Sequence, residues 1–313
     1  MNGRIVVVGS LNADLVVGVD RFPRPGETLT GRDFAFFPGG KGGNQACAAA
    51  RLGGRVAMIG GVGDDAYGAS LAECLRSSGV DVTAVRTHPG STGVALITVD
   101  AAGQNEIVVV PGANGLLTPA EVALRRPWLE GAAVVLVQLE VPLPAVEAAM
   151  ELARDSGALV VLDPAPVVGG IERLLPLADY VTPNESELSA LTRADGPARS
   201  DDATAAQART LLAGGAKHVV AKLGSRGARL FSRERDVEWP AIPVSAVDTT
   251  AAGDVWNGAF ATALAERLSV DEAGAFANAA AACSVTRRGA QPSMPTREEL
   301  DVWLEARESG RSQ

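Results

Sequence analysis

An aspartate placed directly behind a run of small residues, where an extended segment turns into a helix, can do chemistry. In Val247-Asp248-Thr249-Thr250-Ala251-Ala252-Gly253-Asp254 the segment before Asp254 carries little side-chain bulk, so backbone N–H groups can approach a ligand closely, and the first N–H groups of the helix lack intrahelical partners. Anions bind readily at such a place. Asp254 is itself negative and repels a phosphate, so a loop that only cradles phosphate has little use for it. A base that takes a proton from a hydroxyl as the hydroxyl attacks the phosphate does have a use. Taken alone, the segment fits a plainer reading better, an acidic residue at a helix start interacting with the dipole.

Other polar residues sit where apolar runs end. Gly39-Gly40-Lys41-Gly42-Gly43-Asn44-Gln45 precedes an Ala-rich helix; its glycines permit close backbone approach, and Lys41 and Asn44 can hydrogen-bond hydroxyls. It is not a Walker A loop, because Gly42 follows Lys41 where Ser or Thr is required. Asn12 and Asp14 follow the first apolar run and at i, i+2 in an extended segment point the same way, a pair suited to adjacent sugar hydroxyls or to a simple Asx turn. Glu140 ends the run Val134 to Leu139, as a ligand or as rim solvation. Asn184 and Glu187 share the first turn of a helix after Tyr180-Val181 and could orient water on Mg²⁺ beside a nucleotide, or simply start the helix. Leu223-Gly224-Ser225-Arg226-Gly227 suits a cover for a triphosphate, and Asn278 either touches a base or faces solvent. His88 and His218 have no partner pattern and receive no role.

These residues need a frame that brings strand ends together. Apolar runs bounded by turn residues recur at Ile5-Val8, Val56-Ile59, Val134-Val137, Leu159-Leu162, Tyr180-Val181 and His218-Ala221, as suits strands buried on both faces. Helical patterns lie between them at 44–52, 68–78, 119–130, 144–156, 203–213, 253–268 and 271–287. The alternation predicts an α/β fold, three-layer α/β/α with a mainly parallel central sheet. Two regions, about 12–37 and 91–111, alternate with period 2 between Gly, Pro and Asp turns, and predict antiparallel strands of a small extra sheet. Ligands of open α/β sheets bind at the carboxyl ends of the strands, so the small sheet is expected to act as a lid there. The 313 residues read as a single domain with that appendage, its tail after Glu308 frayed.

Composition narrows the partners. A net charge of −9 excludes general nucleic-acid binding, which needs basic surfaces, and 4% aromatic residues provide no stacking platform. Cys47, Cys74 and Cys283 are odd in number and lack C-x-x-C spacing, as expected for buried thiols of a reducing compartment. The opening apolar run is too short for a signal-peptide core and no stretch reaches spanning length. The expectation is a soluble, cytoplasmic protein with no membrane partner.

From Arg4 to about Arg307 the chain resembles the PfkB family of carbohydrate kinases, through the Gly39–Gln45 element and the Asp248–Phe260 element in that order. The likeness to the family's ribose-phosphorylating branch rests on Gly9-Ser10-Leu11-Asn12-Ala13-Asp14, Phe22-Pro23-Arg24-Pro25-Gly26-Glu27-Thr28, Gln138-Leu139-Glu140, Thr182-Pro183-Asn184-Glu185 and Val285 to Ser293. The resemblance implies transfer of phosphate from MgATP to O5 of D-ribose. By that analogy Asn12, Asp14, Gly40, Lys41, Asn44 and Glu140 hold the sugar and Asp254 is the base. Backbone N–H groups of Ala251, Ala252 and Gly253 form the anion hole, Asn184 and Glu187 serve the Mg²⁺-phosphate region, and Ser225, Arg226, Gly227 and Asn278 contact ATP. The family also implies an activating K⁺ beside the site, held by Asp248, Thr250, Ser284, Arg287, Gly289 and Ser293, and a homodimer formed through the lid. Two positions depart from the family pattern: Val255-Trp256 stands in place of a smaller residue followed by Phe, and Asn278 in place of a His near adenine. Another furanose as acceptor, or a sugar sensor without turnover, are the competing readings; a sensor needs neither Asp254 nor the small-residue loop.

Overall fold

Every residue from Ile5 to Val8 is buried, and successive side chains of a strand face opposite ways, so this first strand must be covered on both sides. The computed structural model describes residues 3–194, 196–198 and 200–310. Its strands, in chain order, are β1 (Arg4–Val8), β2 (Asn12–Gly18), β3 (Asp33–Gly39), β4 (Arg55–Gly63), β5 (Val85–His88), β6 (Gly93–Val99), β7 (Asn105–Val110), β8 (Ala132–Val137), β9 (Leu159–Leu162), β10 (Tyr180–Val181), β11 (His218–Lys222), β12 (Ala228–Ser232) and β13 (Asp236–Trp239). Its helices are α1 (Lys41–Arg51), α2 (Ala66–Ser77), α3 (Pro119–Ala123), α4 (Arg126–Leu129), α5 (Leu143–Asp155), α6 (Glu185–Thr192), α7 (Asp201–Ala213), α8 (Ala252–Ala265), α9 (Val270–Ser284) and α10 (Arg297–Gly310).

A nine-stranded sheet runs β13-β12-β11-β10-β9-β8-β1-β4-β5. It is parallel from β11 to β5 and ends in an antiparallel hairpin, β12–β13. Ile5 and Val7 pack in one core with α1, α8 and α9, while Val6 and Val8 pack in a second with α5 and α7. The expected three layers are present. Each side chain of this kind that is fully buried contributes roughly 1.5–3 kcal/mol, which fixes the register of the central strands.

The small sheet has the order β3-β2-β6-β7, and here the structure corrects the sequence reading. Its outer pairs are antiparallel, but β2 and β6 run parallel along their whole length. The long crossover through α1, β4, α2 and β5 returns the chain in the same direction, which no hairpin could do. The helix expected over 119–130 is broken into α3 and α4, since Pro127 has no N–H for the Ala123 carbonyl. The edge hairpin β12–β13, β5 and α10 were not read from the sequence; α10 runs through Gly310, and residues 311–313 of the expected frayed tail lie outside the described residues.

One close approach positions the site. At Gly258 a Cβ would meet Gln45 O at 2.7 Å and Ala48 Cβ at 2.8 Å, so α8 can lie on α1 only because this residue is glycine. The contact sets the first turn of α1 beside the first turn of α8.

Candidate active site

Asp254 lies in the first turn of α8 and is 6% exposed. Its Oδ2 accepts from Asn44 Nδ2 at 3.0 Å and its Oδ1 from Gln45 Nε2 at 3.0 Å, both donors being on α1. Burial pushes its pKa up to about 6, Asp163 adds to the rise, and Lys41 and the two amides oppose it. A carboxylate placed this way is ionised at neutral pH yet basic enough to accept a proton. Around it, Ala251 has a left-handed backbone, φ 59°, a conformation that costs an alanine roughly 1–2 kcal/mol and that turns the chain into α8. The first intrahelical bond is donated by Val255 to Ala251 O, which leaves the Gly253 and Asp254 N–H groups ahead of the helix ladder. Ala252 N–H closes a turn on Thr249 O at 3.2 Å, so of the three expected anion-hole donors it is the one already engaged.

The strand ends supply the rest. Gly40, φ 83°, caps α1 where a Cβ would stand 2.7 Å from Asn12 N. Lys41 N–H donates to Glu140 Oε2 at 3.0 Å, and Ser10 Oγ donates to the same oxygen. Burial acts to lower the Lys41 pKa, but Asp254, Asp163, Glu140 and Glu187 together raise it above its ordinary value, so the ammonium stays charged. Asp14, on β2, is pushed up to about 7 by burial first and then by Glu140 and Asp254. Asn12 accepts from Asn114 Nδ2 at 2.7 Å. Asn12, Asp14, Gly40, Lys41 and Glu140 are therefore gathered at one corner next to Asp254, whereas the Asn44 amide is spent on Asp254 and its Oδ1 on Gln291.

Two cavities meet at the Thr249–Gly253 turn. The smaller, about 270 Å³, is lined by Lys41, Asp163, Asn184, Glu187, Lys222 and Asp254 among others. The larger, about 520 Å³, has apolar walls from Ile242, Pro243, Val244, Ala281 and Val285, and Ser225 and Gly227 at its edge. Asn184 and Glu187 form a reciprocal cap at the start of α6 and face the smaller cavity. No group of three or more His, Cys, Asp or Glu able to hold a metal occurs among the described residues. Mg²⁺ needs only one or two carboxylates, with phosphates and water completing its shell, so Glu187 beside Asn184 fits a nucleotide-borne Mg²⁺.

Arg226 is not brought to either cavity. Its guanidinium pairs with Glu185 and Asp201 at 2.8 Å each, because the tight turn Gly224–Arg226 aims it outward across α6 and α7. Asn278 does line the larger cavity, but its Oδ1 accepts from Trp256 Nε1 at 2.8 Å and its Nδ2 donates to Trp239 O at 2.7 Å. The two positions that depart from the family pattern thus bond each other. Trp256 stacks on Phe260 with ring centres 4.8 Å apart, packing that the larger indole fills.

Asp248 accepts from Thr250 N–H and Oγ at 2.9 and 2.6 Å and from Gly289 N–H at 2.9 Å, and its N–H donates to Val285 O. Burial acts against its charge, but these hydrogen bonds hold its pKa below the usual range. Thr250 and Gly289 are thus gathered on Asp248, with Ser284 and Arg287 at the end of α9 joined by the Arg287 N–H to Ser284 O bond; Ser293 Oγ bonds Ala290 O instead. His218 stacks on Tyr180, and His88 is buried near Glu121.

Sequence reasoning missed Asp163, Lys222 and the part Gln45 plays. Asp163 follows β9 and Lys222 ends β11, so the strand-end rule that found Glu140 points to both.

A buried carboxylate in the first turn of a helix, beside a small-residue turn at the carboxyl edge of a parallel sheet, is the arrangement of a phosphotransferase of the open α/β class. The chain belongs to the PfkB family: the family described as pfkB family carbohydrate kinase matches residues 2–297. It is 42% identical over 307 residues to the ribokinase of Haemophilus influenzae, covering 97% of this chain and 99% of that protein. It is 37% identical to the deoxyribokinase of Salmonella typhi, covering 97% and 99%. The fold matches that of Arabidopsis thaliana ribokinase complexed with ribose and ATP, with a TM-score of 0.87 at 36% identity, covering 97% of this chain and 99% of that one.

Proposed function

We propose that this chain is a ribokinase, transferring the γ-phosphoryl of ATP to O5 of D-ribose with Asp254 as general base. The observation that carries the reading is the Asp254 carboxylate, buried and fixed by Asn44 and Gln45 in the wall of a polar cavity that adjoins an apolar one at the Thr249–Gly253 turn. Ribose fits the polar corner of Asn12, Asp14, Gly40, Lys41 and Glu140, and the nucleobase fits the apolar walls of the larger cavity. The N–H groups of Gly253 and its neighbours meet the phosphate. Positioning and charge stabilisation supply most of the rate, and Asp254 removes the hydroxyl proton as O5 attacks. Mg²⁺, with Glu187 and Asn184 near it, neutralises phosphate charge when bound. K⁺ beside Asp248 would stiffen the turn that leads to Ala251.

The small sheet is the lid in this reading, closing over the sugar to exclude water. Phe34, Leu96, Ile107, Val108, Val109 and Val110 are exposed on it, and since neighbours on a strand face opposite ways, one apolar face remains after closure. A second copy of the chain covers it, giving a homodimer; a monomer by light scattering at micromolar concentration overturns this. No helix among the described residues is long and apolar enough to cross a membrane, and three free thiols suit the cytoplasm.

ADP release measured over a panel of pentoses, hexoses and nucleosides, with and without K⁺, tests the activity. Ribose should lead, with 2-deoxyribose as the comparison sugar that the deoxyribokinase relative calls for. Nucleotide turnover independent of every sugar would remove the proposal.

A further inference from the structure

Lys222 is the feature of this site that the proposed reaction leaves without a task. It ends β11, its side chain is 12% exposed, and Nζ lies 3.2 Å from Oδ1 of Asp163, which is 1% exposed. Burying such a pair costs several kcal/mol per ion before the mutual attraction is counted, so stability alone gives little reason to keep it. The pair is not isolated. Gln45 Nε2 donates both to Asp163 Oδ2 at 2.8 Å and to Asp254 Oδ1 at 3.0 Å, and Gln45 Oε1 is held by Gln138 at 2.7 Å. One amide group thus ties the carboxylate that holds Lys222 to the carboxylate that serves as base.

Position then decides what Lys222 does. It lines both cavities, whereas Lys41 lines only the smaller. A Cβ built on Gly253 would stand 3.4 Å from Lys222 Nζ, so the ammonium lies next to the side of Gly253 on which a side chain would project. An ammonium has three donors, and the one hydrogen bond of Nζ among the described residues goes to Asp163. The residue itself is among those shared by the two cavities. A bridge pairs Lys222 with Asn184 in the backbone, which sets it beside the capped start of α6, and Lys41 lines the same smaller cavity.

We propose that Lys222 is the side chain that binds the phosphoryl group in transit, with Asp163 as the positioning residue that holds it at Gly253. This rests on the kinase reading above. In the step, the sugar O5–P bond forms and the bond from Pγ to the β,γ-bridging oxygen breaks, with that electron pair leaving on ADP and the sugar proton passing to Asp254. Lys222 donates to the phosphoryl oxygens throughout and is neither consumed nor deprotonated.

The test separates a phosphate contact from a structural counter-ion. Binding of ADP and of the non-hydrolysable β,γ-imido analogue of ATP is measured by calorimetry with Mg²⁺, alongside kcat and the sugar KM. Lys222→Met should weaken the analogue about tenfold or more, the loss expected for a charged hydrogen bond, change ADP affinity less than about threefold and leave the sugar KM unchanged. Because Lys222→Met strands a buried carboxylate, the double variant Lys222→Met with Asp163→Asn is measured too; it should fold as the wild type does and keep the same selective loss for the analogue. Asp163→Asn alone should lower kcat less than Lys222→Met. If the double variant recovers wild-type kcat, or if ADP and the analogue weaken equally, Lys222 only neutralises Asp163 and the proposal is wrong. Should the wild type bind both nucleotides yet phosphorylate no ribose, the assigned reaction fails while the binding comparison still reads Lys222.

Discussion

Replacing Asp254 with Asn removes a charge while keeping the shape, and the structure sets the size of two opposite effects. Two amides donate to the carboxylate, Asn44 to Oδ2 and Gln45 to Oδ1; Asn offers one acceptor, so one donor must turn away, at about 1 kcal/mol. Against this, the Asp254 pKa is raised from 3.8 to about 6. That rise of about 2 units makes the charged form cost the empty protein about 3 kcal/mol at pH 8. The neutral amide escapes that cost, so Asp254→Asn should be more stable by about 2 kcal/mol at pH 8, or about 4 °C in Tm. At pH 5 the folded group is largely protonated but the unfolded one is still ionised, so about half of that cost remains. The gain should shrink to under about 1 kcal/mol and disappear only toward the unfolded value of 3.8. Turnover moves the other way: losing the base lowers kcat by about 10²–10⁴-fold, or about 3–5 kcal/mol in the barrier, with the sugar still bound. Scanning calorimetry at the two pH values and single-turnover kinetics with ATP measure both. A kcat within tenfold of wild type removes Asp254 from the base role, and a lower Tm at pH 8 refutes the electrostatic argument.

Gly253→Ala should fold normally, since its methyl meets Lys222 Nζ only at contact distance, 3.4 Å, but kcat/KM for MgATP should drop at least about tenfold because the methyl occupies the phosphate approach; unchanged kinetics would move the phosphate elsewhere. The empty protein should lose stability from pH 5 to pH 8. Asp14 and Asp254 both have folded values above 3.8, about 7 and about 6, so their contribution is complete below the unfolded value and is lost as pH rises through the folded ones. The lowered carboxylates Asp65, Asp81 and Asp248 act only in more acid solution, and a Tm that climbs between pH 5 and 8 would contradict the assignment. For the same reason kcat/KM should fall in acid, with an apparent value between about 6 and 7 that belongs to the Asp14–Asp254 pair.

Much of the site was legible because strand ends announce themselves. An apolar run followed by a polar residue marked Asn12, Glu140 and Asn184, and the same mark stands at Asp163 and Lys222. What made the last two hard to see is that their meaning lies in each other: neither β9 nor β11 contains a motif, and only their places in the sheet bring Nζ within 3.2 Å of the carboxylate. Arg226 shows the converse. Its glycine-flanked turn was readable, but which way a guanidinium leaves a tight turn depends on Glu185 and Asp201, acidic residues at the starts of α6 and α7.

The sequence by itself determined the layers, since residues such as Ile5 to Val8 can be satisfied only between two covering layers, and it determined the chemical types at the Gly39–Gln45 and Asp248–Phe260 elements. Tertiary structure decided the rest. It set the parallel β2–β6 pair in the small sheet, a long-range choice made by the crossover. It joined Trp256 to Asn278, whose hydrogen bond makes a pair of two departures that in sequence stand apart. It also raised the basicity of Asp254, because a carboxylate gains basicity only when α1 is packed over it against Gly258 and water is displaced. Local sequence fixes which groups exist and which faces are apolar; the depth of burial and the partners of each group follow from contacts between segments far apart in the chain.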